Sequence, residues 1–93
     1  MVAPEAQLTL LLLTGFTARD NGLAGLDLES ATTRVIMSAI ISTNIDTTSQ
    51  PYGLTTTLAA APNIYLYGGD MHGNATGATN IATSTFGAWQ AAQ

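Results

Sequence analysis

The stretch TTRVIMSAIIST, Thr32 to Thr43, is the most apolar long run after the N-terminus, and its reading decides the fold. It is rich in β-branched residues, which restrict χ1 and suit a pleated surface. Strict alternation would place Val35, Met37, Ala39 and Ile41 on one face and Arg34, Ile36, Ser38, Ile40 and Ser42 on the other. Both faces then hold apolar side chains, so the strand is expected to be central or covered on both sides. A helix starting near Ser30 is the alternative.

Outward from this run, NIDTTSQPYG (Asn44 to Gly53) reads as a turn, with Pro51 pushing Gln50 toward extended backbone. LTTTLAA (Leu54 to Ala60) reads as a threonine-lined strand. NIYLYGG (Asn63 to Gly69) alternates cleanly, with Ile64 and Leu66 on one face and Tyr65 and Tyr67 on the other. NIATSTFGAW (Asn80 to Trp89) is a weaker last strand ending near Gly87. Strands near 34–43, 54–60, 63–68 and 80–86, with only Ala61-Pro62 between two of them, predict a mainly β fold, a small antiparallel sheet or sandwich with hairpin-like links.

TARDNGLAGLDLES (Thr17 to Ser30) reads as a solvated loop, with a turn signal at Asn21-Gly22. The N-terminal run reads as a short helix, with Pro4 and Glu5 in its first turn and Gly15 as its stop; a strand over Gln7–Thr14 is the alternative. If the helix holds, the class becomes α+β. The chain is expected to be one domain, 1–93, with an arm or helix over 1–16 and a C-terminal tail over 87–93. No internal repeat stands out.

Composition bounds the function. Charged residues make up 9% of the 93-residue chain and hydrophobic ones 46%, whereas an ordinary soluble domain is about 25% charged. A surface made of Thr, Ser, Asn, Gln and backbone tolerates burial against another protein, because burying a hydroxyl costs far less than burying an unpaired ion. There is no lysine, Arg19 and Arg34 are the only basic side chains besides His72, and the net charge is −4. Nucleic acid is therefore rejected as a partner, as is a polybasic membrane patch. The run Leu8–Leu13 is far below the ~20 residues of a membrane span. Glu5, the absence of Lys or Arg ahead of that run and the lack of a small-residue cleavage site argue against a cleaved secretory leader. No cysteine is present.

The stretch YLYGGDMHGNATGATN (Tyr65 to Asn80) concentrates the chemistry-bearing residues. Asp70, His72 and Asn74 alternate, but one histidine and no cysteine fall short of the three or four ligands a metal site needs. His72 with Asp70 and Ser84 or Ser38 would make a triad only by geometry, and no G-x-S-x-G is present. The glycines match neither phosphate-binding pattern. No catalytic residue, metal or cofactor is assigned. The segment Gly68–Thr79 reads as a loop buried against a partner or presented to one. Asn74-Ala75-Thr76 is also a glycosylation sequon. Tyr65, Tyr67, Asp70, His72, Asn74, Phe86 and Trp89 are the interface candidates, the aromatics because such side chains anchor interfaces.

The expectation is a non-enzymatic structural subunit of a multi-copy assembly, whose partners are copies of itself and other structural proteins. A virion component, such as a phage capsid decoration, minor capsid or tail protein, ranks first. An extracellular filament or pilin-like subunit at the cell surface ranks second, and a small binding domain using the Gly68–Thr79 loop third.

Overall fold

The computed structural model describes residues 10–29 and 34–92. Its strands are β1 (Leu10–Thr14), β2 (Thr17–Arg19), β3 (Leu26–Leu28), β4 (Arg34–Thr43), β5 (Tyr52–Thr56), β6 (Ile64–Asp70), β7 (Gly77–Thr79) and β8 (Ala88–Ala92). Short 3-10 turns occupy Ala61–Asn63 and Thr83–Thr85. β1 and β2 both pair with β4, and the first sheet continues through β6 to β8; β3, β5 and β7 form the second. Every pairing is parallel.

The chain is thus a β-solenoid. It runs along the first sheet, crosses to the second, and returns one strand further on. The expected antiparallel sheet or sandwich is overturned by the parallel registers. Parallel neighbours need a crossover between them, and here a strand of the opposite sheet is that crossover. The Ala61-Pro62 link therefore joins β5 of one sheet to β6 of the other by a 3-10 turn and is not a hairpin. Leu10 pairs with Arg34, Val35 with Ile64 and Tyr65 with Ala88, so the coils differ in length and leave no fixed period to read.

Other expectations shift with it. The helix start at Pro4-Glu5 and Leu8 lie outside the described residues, and Leu10–Leu13, meant to continue the helix, belong to strand β1. The helix start considered near Ser30 also lies outside them. The Thr17–Ser30 segment, read as loop, holds β2 and β3. The last strand lies at Ala88–Ala92 rather than 80–86, where the 3-10 turn Thr83–Thr85 stands instead.

One device organises the first sheet. Gly15, Ala39 and Gly68 have φ of 63°, 55° and 76°. Thr14 pairs with Ser38 and Ser38 with Tyr67, so these left-handed residues follow one another in a column up the sheet. Gly15 N–H donates to the Ser38 carbonyl at 3.2 Å and Ile41 N–H to the Phe16 carbonyl at 2.9 Å, which closes the ladder around the bend. A left-handed residue turns the strand and shifts the inward–outward phase by one. Val35 and Met37 point inward before Ala39, and Ile40 and Ser42 after it, while Ala39 and Ile41 are exposed. Simple alternation had put Ala39 and Ile41 with Val35, and Ile40 on the opposite face. Leu11 and Leu13 face the core before Gly15, and Phe16 and Ala18 after it. Ile64 and Leu66 precede Gly68, and Met71 follows.

The core between the sheets is built from Val35, Met37, Ile40, Leu54, Ile64, Leu66 and Met71, all nearly inaccessible. One corner of it is polar. Gln50 is fully buried. Its amide nitrogen donates to Asn74 Oδ1 at 2.8 Å and Ser42 Oγ at 3.1 Å, and its oxygen accepts from Asn21 Nδ2 at 2.9 Å. Successive coils thus share one satisfied amide network, the condition for keeping polar groups inside.

Candidate functional site

The outer face of the first sheet carries ordered columns of side chains from successive coils. Leu12, Ile36, Tyr65 and Ala88 stack in one outward column, and Thr14, Ser38, Tyr67 and Gln90 in the next. Leu12 is 63% exposed, Leu10 45% and Tyr67 43%. Tyr65 and Tyr67 lie ring over ring, centroids 6.5 Å apart and 21° from parallel. The exposed Arg34 guanidinium sits 5.3 Å from the Tyr65 ring centroid, a cation–π contact on that face. The face is apolar with hydroxyl edges and one cation. Sequence reasoning found Tyr65 and Tyr67 here by alternation. It missed Leu10 and Leu12 because they were read as helix.

The other interface candidates do not join them. Asp70 and His72 stand together at the end of β6, where His72 Nδ1 contacts Asp70 Oδ1 and the His72 N–H donates to the same oxygen at 3.1 Å. The hydrogen bond from the His72 side chain, backed by that N–H, lowers the Asp70 pKa. Both side chains are accessible. The two serines considered with them lie elsewhere in the fold: Ser38 on the outer side of β4, Ser84 in the 3-10 turn before β8. Among the described residues no group of three or more His, Asp or Glu side chains could hold a metal.

Asn74 belongs to the interior network. Its Nδ2 donates to the Ser42 and Met71 carbonyls, both at 2.8 Å, while its Oδ1 accepts from Gln50. The sequon nitrogen is therefore engaged twice in the folded chain. Phe86 is buried, and its ring lies 4.8 Å from that of Trp89, tilted by 55°. Trp89 is part of β8 and packs on the core.

Two acidic features complete the surface. Asp20, itself at φ 55°, accepts the N–H groups of Ile45, Asp46 and Thr47 at 2.8, 3.1 and 3.1 Å on one carboxylate oxygen. These bonds, that from Ile45 foremost, lower its pKa. Arg19 bridges to Asp46 at 3.3 Å across the same turn. On the second sheet, Leu23, Ala24, Asp27, Pro51, Tyr52 and Thr55 line a shallow groove of about 410 Å³. Thr55 Oγ1 donates to Asp27 there at 2.8 Å, and a hydrogen bond shared with Asp27 raises the Glu29 pKa.

No helix among the described residues is long and apolar enough to cross a membrane. By fold the chain is a short parallel β-solenoid with an apolar outer face on its longer sheet. Compared with known proteins, it matches no family model, no curated protein and no solved structure.

Proposed function

We propose that the chain is a non-enzymatic structural subunit of a multi-copy protein assembly, in which the outer face of the first sheet packs against another subunit. The observation that carries this reading is the group of apolar and aromatic side chains on the outer face of the first sheet, with Leu10, Leu12 and Tyr67 exposed and Ile36 and Tyr65 half-buried between them. Large apolar side chains grouped on one exposed face mark interaction sites more than scattered surface hydrophobics do. A charge-poor surface adds support, since charge is what interface centres lack. A virion component, such as a capsid decoration, minor capsid or tail protein, is the assembly that composition ranks first, ahead of an extracellular filament.

Light scattering on the untagged chain tests this. The wild type is expected to exceed the 9.6 kDa of one chain. Leu12→Glu, at a position already 63% exposed, leaves the fold intact and lowers the mass, because it places an unpaired charge in the covered face. An unchanged mass in Leu12→Glu, or a wild-type monomer at every concentration, overturns the reading.

A further inference from the structure

We infer that the acidic outer side of the second sheet is the seat on which another copy of this chain docks, with Arg34 of one copy entering between Asp27 and Glu29 of the next. This rests on the assembly reading above and names the partner of the first sheet's outer face, which is the opposite side of a second copy.

The charges of the described residues point there. Asp46 bridges to Arg19 at 3.3 Å, and Asp70 contacts His72. The Asp20 carboxylate is taken up by the N–H groups of the turn after β4 and by Arg19 at 3.8 Å. Among the described residues, that leaves Arg34, Asp27 and Glu29 with no opposite charge at ion-pair distance. Arg34 is exposed on the first sheet's outer face, beside the Tyr65 ring. Asp27 is exposed on the outer side of the second sheet, because Leu26 and Leu28 on either side of it pack on the core. Glu29 stands with Asp27, and their shared hydrogen bond and repulsion raise the Glu29 pKa. A cation set between two such carboxyls favours the charged form of both.

The neutral parts of the two sides match in kind. Leu10, Leu12 and Tyr67 are exposed on the first. The groove of the second sets Leu23, 80% exposed, with Pro51 and Tyr52 beside Asp27. Apolar burial supplies the adhesion, and the charges choose the partner and the register. β3 ends at Leu28 and β4 begins at Arg34, so the acids and the cation stand toward the same lateral edge on opposite sheets. Moving one copy straight across the sheets brings Arg34 over the acids of the next. Two first sheets packed face to face would leave all three charges unmatched. A contact that joins two different sides of each copy is heterologous, and it adds copies in an open stack or a ring.

Charge reversal with mixing tests this, read by light scattering over a concentration series. The wild type is expected to pass two chains as concentration rises. Arg34→Glu alone sets like charges together, as does Asp27→Arg with Glu29→Arg, and each weakens association by about tenfold or more. The first makes the chain more negative and the second less, so net charge alone does not weaken both. An equal mixture recovers the wild-type mass, because each variant then meets opposite charge on the other. All three positions are exposed, and circular dichroism checks the fold of each variant. Variants that associate as the wild type does overturn this contact, as does a mixture no stronger than its parts; Leu12→Glu still decides the face reading separately. A wild type that stops at two chains overturns it too, because that is a face-to-face pair. A wild-type monomer at every concentration removes both readings.

Discussion

Asp20 shows how much one side chain can hold in a chain with so few charges. Its carboxylate gathers three backbone N–H groups and the Thr47 hydroxyl, tying the end of β2 to the turn after β4. Hydrogen bonds to the ionised form depress a carboxylate pKa. The folded pKa therefore lies below the ordinary value of 3.8. Its stabilisation is complete above that ordinary value and is lost as pH falls through the lowered one. Asp70 is lowered as well, by its contacts with His72, and adds its own acid loss. The informative quantity is thus the stability of wild type minus that of Asp20→Asn, followed by urea unfolding from pH 6 downward. That difference is expected to shrink as pH drops below about 4. A constant difference would mean that the Asp20 charge does not hold the turn. None of this was legible in the sequence, where Asp20 was one acid in a loop. Its partners lie more than twenty residues on, and only the parallel stacking of coils brings them near.

At the scale of the element, the legible part was alternation and the illegible part was its interruption. Tyr65–Tyr67 against Ile64–Leu66 was read correctly, because β6 keeps its period of two up to Gly68. In β4 the same logic failed after Met37, since an alanine takes the left-handed conformation that normally marks glycine or asparagine. Gly15 and Gly68 are the visible members of that column. Ala39 between them carries no sequence mark. Parallel pairing was hidden for a related reason: strand periodicity reports burial, and burial is alike for a hairpin and for a coil. Adjacent glycines in β6 allow a test of the stacking. A Cβ on Gly69 would stand 2.3 Å from the Ile40 carbonyl oxygen, at φ 155°, whereas one on Gly68 would meet nothing within 4 Å. Gly69→Ala is expected to cost roughly 2–4 kcal/mol and Gly68→Ala about 1 kcal/mol, by denaturant midpoint. Equal costs would contradict the close approach of β4 and β6.

For the whole molecule, the assembly proposal draws on composition and on fold. A charge content of 9% leaves few means of keeping an extended parallel sheet solvated, and the fold presents such a sheet with leucines and tyrosines outward. Of the interface candidates read from sequence, Tyr65 and Tyr67 lie on the outer face of that sheet. Asn74 and Phe86 face inward, drawn there by a network and a core that only the winding assembles. The segment Gly68–Thr79, read as one loop, holds the end of β6, a polar corner and β7.

The proposed outer face depends on the coils being stacked in parallel, with Leu12, Ile36, Tyr65 and Ala88 in one column. The most direct test is an isotope-labelled NMR measurement of interstrand proton contacts. A parallel pattern is expected, with Tyr65 near both Ile36 and Ala88 through Hα–HN contacts between strands that run the same way. Strong Hα–Hα contacts between these segments, the mark of antiparallel neighbours, would contradict it and remove the outer face on which the assembly reading stands.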